Sequence, residues 1–131
     1  MRRGVLVGLV GLLAVLAACG GGSSSSGGGG SAGNQPAGST KVTMTDYKFT
    51  PADINVKSGK VTLFLVNGGA VSHDMVLMSS DGSKSLGRSE LIQPGDSGAL
   101  TVDNLPAGSY RFICDQPGHE AQGMKGTLTA S

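Results

Sequence analysis

From residue 39 onward the sequence alternates between apolar and polar residues, and this period of two is the feature that most restricts its fold. Side chains of a β-strand point alternately to opposite faces, so such alternation predicts strands with one buried face. The pattern covers residues 41–45, 53–57, 60–66, 74–78, 99–102, 110–113 and 126–129. Residues 86–92 are compatible with a short helical turn, but no longer segment shows a helical period.

Turn-forming residues separate these segments. Gly, Pro, Asn, Asp and Ser cluster in the intervening stretches, which are residues 58–59, 67–69, 80–82, 94–96 and 106–108. Clusters of this kind mark tight connections between strands. Short strands at this spacing predict an all-β fold, in this case an antiparallel β-sandwich built as one domain.

The first 38 residues differ in character from the rest. Arg2 and Arg3 precede an apolar stretch that is too short for a membrane-spanning helix and is typical of a secretory signal peptide. Residues 20–38 are almost entirely Gly, Ser and Ala, and this composition predicts a disordered linker. The chain thus divides into a signal peptide at 1–18, a linker at 19–38 and a folded domain at 39–131.

Residues 16–19, Leu-Ala-Ala-Cys, resemble the lipobox of bacterial lipoproteins. That resemblance implies cleavage before Cys19, acylation of its sulfur, and an extracytoplasmic protein held by lipid at the cell membrane, on its periplasmic or outer face. The alternative is an ordinary signal peptide with an incidental cysteine. A disulfide between Cys19 and Cys114 is disfavoured, because it would join a flexible arm to the core.

The charge balance excludes strongly charged partners. The chain has 10 Lys and Arg against 9 Asp and Glu, and loss of Arg2 and Arg3 with the signal peptide leaves a net charge of −1. Without a basic run, neither nucleic acid nor an anionic membrane surface attracts the domain. We therefore expect no nucleic-acid partner, a membrane contact that depends on the lipid, and a monomer.

The residues that suit a metal are few and closely spaced. Cys114, His119 and Met124 follow one another at intervals of five, and the other histidine of the chain is His73. Two imidazoles, a thiolate and a weak thioether form the ligand set of a mononuclear blue copper site. Each residue alone is better explained by core packing. The copper hypothesis therefore depends on their combination.

Several motifs resemble the cupredoxins, in particular plastocyanin, azurin and auracyanin. They are Asn67, His73-Asp74 and residues 106–114, 117–119 and 123–126. The resemblance covers nearly all of residues 39–131 and implies a Greek-key β-sandwich with one copper ion. It implies that His73 and His119 bind copper through imidazole nitrogens. Cys114 would then supply the thiolate and Met124 the axial sulfur.

Two of the positions that depart from the family pattern directly follow a predicted ligand. The residue after the upstream histidine is often Asn and joins the ligand-bearing segments, but here it is Asp74. The residue after the cysteine is often Ser, Thr or Ala, but here it is Asp115. Two carboxylates near one metal repel each other, so we expect one of them to be solvated or linked to a proton. Asn67 is interpreted as a turn residue.

The resemblance implies a carrier of single electrons between redox proteins rather than an enzyme. In the family the C-terminal histidine ligand reaches the surface through an apolar patch. A donor and an acceptor are therefore expected to dock around His119, with Pro117, Ala121 and Met124 at the rim. A protein that buffers or delivers copper is the alternative function. A copper enzyme with a second metal site needs more histidines than the two present.

The lipobox interpretation predicts that Cys19→Ala blocks normal processing of the signal peptide. Membrane fractionation and the mass of the protein report the result. As a control, an unrelated cleavable signal should release a soluble extracytoplasmic protein with its copper site intact. A wild-type protein found wholly in the soluble fraction would refute the lipid anchor.

Overall fold

The computed structural model describes residues 33–131, so the predicted signal peptide and Cys19 lie outside the described residues. The strands within this range are β1 (Thr40–Thr45), β2 (Lys48–Thr50), β3 (Asp53–Val56), β4 (Gly59–Asn67), β5 (Val76–Ser79), β6 (Ser85–Arg88), β7 (Ser97–Leu105), β8 (Gly108–Ile113) and β9 (Lys125–Ala130). The all-β prediction is confirmed. The helical turn considered for residues 86–92 is wrong, since this segment contributes to β6 and to a bridge between His73 and Ile92. Nothing in the described part of the chain is a helix of the length and apolar character needed to cross a membrane.

The strands form two sheets that pack face to face. One sheet has the order β2-β1-β4-β7 and the other the order β3-β9-β8-β5-β6. The core between them includes Val42, Met44, Phe49, Leu63, Leu65, Met75, Leu77, Leu100, Phe112 and Leu128. In β4, Val61, Leu63 and Leu65 are buried on one face, and Phe64 on the opposite face is buried too. Asn67 continues the first of these faces at the end of the strand and is also buried.

Two strand pairs depart from the predicted antiparallel arrangement. β1 pairs with β4 and β3 pairs with β9 in parallel, whereas the other paired strands are antiparallel. The chain leaves the first sheet after β2, adds β3 to the second, and returns with β4 beside β1. Parallel neighbours require such a crossover. Alternation identifies the buried face of a strand but not the direction of its neighbour, so this part of the prediction was wrong.

Strand register brings three connections of the chain to one end of the sandwich. Met44 of β1 lies opposite Asn67, the last residue of β4. Ile113, the last residue of β8, lies opposite both Val76 of β5 and Lys125 of β9. The β1–β2, β4–β5 and β8–β9 connections therefore leave the sheets close together. All four predicted copper ligands lie in the β4–β5 and β8–β9 connections.

The segment that precedes β1 contacts the domain. Residues 33–38 fall within the predicted linker and are all exposed. The backbone N–H of Gly33 donates to Oγ of Ser97 at 2.8 Å. A turn follows in which the N–H of Ser39 donates to the carbonyl of Pro36 at 3.1 Å. Gly33 of the N-terminal segment thus contacts β7.

A prediction concerns Gly126 in β9. A Cβ atom at this position would lie 2.2 Å from the carbonyl oxygen of Ala52 and 2.3 Å from the ring of Phe112. Neither can move freely, because the Ala52 carbonyl accepts from the N–H of Thr127 and Phe112 is fully buried. Gly126→Ala should therefore lower the free energy of unfolding by about 2–3 kcal/mol.

Gly68→Ala is the matched control for this substitution. Its Cβ atom would meet nothing closer than 3.7 Å, so the expected change is within about 0.5 kcal/mol. Chemical denaturation of the two variants and the wild type measures the difference. Equal stability of Gly126→Ala and the wild type would mean that β9 and Ala52 are not packed as described.

Candidate metal centre

The four predicted copper ligands occupy the connections at one end of the sandwich. His73 lies between β4 and β5, where its backbone forms a two-way bridge with Ile92. Cys114 directly follows β8, and Met124 directly precedes β9. His119 lies in the turns between these two residues. His73 and the loop from Cys114 to Met124 therefore come from different parts of the sequence and meet at this end of the sandwich.

Three donor atoms converge at this end of the molecule. Nδ1 of His73 lies 3.2 Å from Nδ1 of His119. Sγ of Cys114 lies 3.4 Å from Nδ1 of His119 and 3.9 Å from Nδ1 of His73. The point equidistant from these atoms is about 2.0 Å from each, close to the bond lengths of first-row metals with imidazole and thiolate. The three side chains fit one small metal ion without rearrangement.

Burial determines the chemistry of the thiol. Cys114 is 1% exposed and His73 is fully buried, whereas His119 is partly exposed. Burial raises the pKa of the Cys114 thiol, because the thiolate loses solvation. The metal-free protein therefore keeps this proton near neutral pH. Copper binds the thiolate, so metal binding displaces the proton.

Backbone hydrogen bonds close the loop that carries three of the four residues. The N–H of Cys114 donates to the carbonyl of Met124 at 3.0 Å, and the N–H of Met124 donates to the carbonyl of His119 at 3.1 Å. The Met124 side chain is fully buried within the core cluster that contains Cys114. Its expected place at the rim of an exposed apolar patch is therefore wrong, whereas Pro117 and Ala121 are exposed.

Asp74 connects the two ligand-bearing segments. Its carboxylate is buried, and Oδ1 accepts from the backbone N–H of Asp115 at 2.8 Å. The same oxygen accepts from the thiol of Cys114 at 3.4 Å. Oδ2 accepts from Nε2 of Gln116 at 3.3 Å. The carboxylate thus connects the His73 segment to the Cys114 segment.

Arg88 resolves the expected repulsion between the two carboxylates. Its guanidinium lies 3.5 Å from Asp74 and forms a second ion pair with Asp115. Asp115 is half exposed, so it is the solvated member of the pair, and Asp74 is the buried one. One cation between two anions offsets much of their mutual repulsion and of the burial cost of Asp74.

Asn67 organises the segment that leads to His73 and is more than a turn residue. Its side-chain amide donates to the carbonyl of Val71 at 2.9 Å and to that of Ile92 at 2.8 Å. Its Oδ1 accepts from the N–H of Gly69 at 2.9 Å. Because Ile92 also bridges His73, Asn67 orders both sides of this ligand. The interpretation of Asn67 as a turn residue was therefore incomplete.

The β1–β2 turn contacts both imidazoles. The Asp46 carboxylate lies 3.0 Å from Nε2 of His73, the ring nitrogen that faces away from the other donors. The ring of Tyr47 packs edge-on against His119, with ring centroids 4.9 Å apart. Tyr47 adopts a left-handed backbone conformation, with φ of 76°. The sequence did not reveal the role of this turn or of Arg88, because both are separated in sequence from the ligands and no local motif marks them.

Comparisons with known proteins agree with this geometry. The family described as a cupredoxin-like domain matches residues 9–130. The copper-resistant cuproprotein CopI of Rubrivivax gelatinosus is 30% identical over 106 residues, which are 69% of this chain and 64% of CopI. Auracyanin-B of Chloroflexus aurantiacus is 39% identical over 51 residues, which are 39% of this chain and 22% of that protein. The chain thus spans less than two thirds of either curated relative.

A structural comparison gives the same relationship. A solved structure of auracyanin B superimposes with a TM-score of 0.66 at 25% identity, covering 76% of this chain and 92% of that one. A β-sandwich with two imidazoles, a thiolate and a buried methionine clustered at one end defines a single-copper protein. The chain belongs to the cupredoxin-like family of blue copper proteins. The copper cofactor and the Greek-key sandwich predicted from the sequence are confirmed.

The Arg88 contacts generate a prediction about the reduction potential. Arg88→Gln removes the cation that offsets Asp74 and Asp115, so the copper site becomes more negative. Negative charge favours Cu(II), so the midpoint potential should fall, and solvent screening of the exposed guanidinium limits the size of the shift. Voltammetry of the copper protein at neutral pH measures it.

Lys84→Gln is the control, because it makes the same charge change in the turn between β5 and β6, away from the metal. Its midpoint potential should match that of the wild type. Equal shifts in the Arg88 and Lys84 variants would show that net charge, and not the local ion pairs, determines the effect.

Proposed function

We propose that this protein is a one-electron carrier that uses a mononuclear blue copper site. The observation that carries the proposal is the convergence of two Nδ1 atoms and one Sγ atom within 3.9 Å of one another. His73, Cys114 and His119 would hold the ion, with the Met124 sulfur as the weak axial ligand. Copper supplies the change between Cu(I) and Cu(II).

The way the ligands are held suits electron transfer. The backbone bridge at His73, the Asp74 carboxylate and the closed loop from Cys114 to Met124 each restrain one part of the site. Rigid ligands change position little when the ion changes charge, and this lowers the barrier to transfer. Burial of His73, Cys114 and Met124 also leaves little room for a substrate beside the metal.

We propose that electrons enter and leave through His119. It is the partly exposed member of the donor set, and Pro117, Gly118 and Ala121 beside it are exposed. This small surface with few charges suits the brief encounters of redox proteins, which use small interfaces. The donor and the acceptor would dock here. Acylation of Cys19 would keep the domain at the extracytoplasmic face of a membrane, within reach of membrane-bound partners.

Copper handling is a second candidate function. The observation that favours it is the 30% identity with CopI, which is described as a copper-resistant cuproprotein. In that case the domain would sequester or deliver the metal, and its copper would exchange with other proteins. The two functions therefore differ in how readily copper leaves the site and in how fast the site exchanges electrons.

The proposed blue site predicts one Cu(II) per chain and an intense visible absorption from charge transfer between the Cys114 thiolate and copper. Cys114→Ser should abolish the colour, because a hydroxyl replaces the thiolate. The matched control is Ser89→Ala, which alters a buried hydroxyl outside the donor set and should keep the colour. A colourless one-to-one copper complex of the wild type would refute the blue-site assignment.

The same preparation separates the two candidate functions. An electron carrier should show fast electron exchange between its Cu(I) and Cu(II) forms and should retain copper in a competing chelator. A copper-handling protein should lose the metal to the chelator within the time of the experiment. Rapid copper loss with slow electron exchange would favour copper handling and refute the carrier function.

A further inference from the structure

The Asp46 carboxylate occupies the outer side of the His73 imidazole. Its Oδ1 lies 3.0 Å from Nε2 of His73. The carboxylate also accepts hydrogen bonds from the backbone N–H groups of Ala70, at 2.9 and 3.0 Å, and of Val71, at 3.3 Å. Asp46 lies in the β1–β2 turn, whereas these partners belong to the β4–β5 connection. The contact therefore joins the His73 segment to a third part of the chain.

We propose that Asp46 is a positioning residue that selects the tautomer of His73 and favours the oxidised copper ion through its negative charge. This inference rests on the proposed copper site and concerns a residue that does not contact the metal. Ligand histidines commonly donate their second ring N–H to a carboxylate or carbonyl, which orients the ring and increases its basicity.

The tautomer follows from the hydrogen-bonding capacities of the two groups. An ionised carboxylate only accepts hydrogen bonds, so Nε2 of His73 must carry the hydrogen. A neutral imidazole then has its lone pair on Nδ1. That atom is the one 3.2 Å from Nδ1 of His119 and 3.9 Å from Sγ of Cys114. Asp46 thus directs the lone pair of His73 toward the place where the other donors converge.

The surroundings maintain Asp46 as an anion. The N–H of Ala70 donates to both carboxylate oxygens, and the N–H of Val71 donates to Oδ1. These backbone donors stabilise the ionised form of the carboxylate, since only that form accepts at both oxygens. The carboxylate therefore remains charged at neutral pH, which is the state in which it accepts the hydrogen of Nε2.

Glycine at position 69 permits this contact. A Cβ atom there would lie 2.3 Å from Oδ1 of Asp46 and 3.0 Å from Nε2 of His73. Any side chain would therefore enter the space between the carboxylate and the imidazole. The left-handed conformation of Tyr47 forms the turn that presents Asp46, and its ring packs on His119. The turn and the glycine together build a defined seat for the carboxylate.

The electrostatic surroundings of Asp46 differ from those of the other carboxylates near the site. Asp74 and Asp115 share the guanidinium of Arg88. Within residues 33–131, the side chain that contacts the Asp46 carboxylate is the His73 ring, and no Lys or Arg forms an ion pair with it. Its charge is therefore not offset by a neighbouring cation, and it acts directly on a copper ligand.

Two substitutions in the full chain separate the hydrogen bond from the charge. Asp46→Asn keeps an acceptor oxygen but removes the charge, so His73 should retain hydrogen on Nε2 and the midpoint potential should rise. Asp46→Ala removes both, so the tautomer preference should be lost and the midpoint potential should also rise. Asp103→Asn is the matched control. Asp103 is exposed and lies near the end of β7 that is remote from the metal centre, so this substitution should leave both readouts unchanged.

Nitrogen NMR of the metal-free protein reports the tautomer, and voltammetry of the copper protein reports the potential. The chain has two His, which simplifies the assignment of ring signals. Hydrogen on Nδ1 of His73 in the wild type, or midpoint potentials unchanged in both Asp46 variants, would overturn the proposal. If the wild-type copper protein were colourless, the proposed function would fail, whereas the metal-free tautomer would still test the contact with Asp46.

Discussion

A buried carboxylate connects two ligand-bearing segments that are remote in sequence. Asp74 follows His73 and accepts hydrogen bonds from the amide of Asp115 and from the thiol of Cys114. Sheet pairing between β5 and β8 brings these segments near one another, but pairing alone does not orient the side chains beyond the strand ends. An unpaired buried carboxylate would cost several kcal/mol, so the arrangement also requires Arg88. The geometry of the site depends on this small polar network.

The protein assembles its metal-binding geometry from its own hydrogen bonds. Three donor atoms with lone pairs stand within 3.9 Å of one another, and each belongs to a segment with its own restraint. Asn67 and Ile92 hold the His73 segment, and the loop closed by Met124 holds the other two donors. Because the cost of ordering these groups is met by the fold, it is not incurred again at each change of oxidation state. This is the physical link between the sandwich and the proposed electron-transfer function.

Acidic side chains surround the site in two different electrostatic situations. Asp74 and Asp115 share a guanidinium, so their effect on the metal is partly cancelled. Asp46 is held by backbone N–H groups, which stabilise its charge without the full positive charge of a cation. The sequence alone predicted repulsion between the first two and had no expectation for the third. Whether a carboxylate tunes the copper therefore depends on which partners the fold brings to it, and not on how near it is in sequence to a ligand.

The sequence by itself determined the all-β class and the copper cofactor, and it predicted the donor residues. Alternation reports the buried face of a strand, and the spacing of Cys114, His119 and Met124 within one short loop is a local property. Only the tertiary structure decided the parallel pairing of β1 with β4, the burial of Met124 and the roles of Asn67, Arg88 and Asp46. Each of these depends on contacts between residues far apart in the chain. Neither periodicity nor local spacing carries information about such contacts, because strand order and loop packing are set only when the two sheets come together.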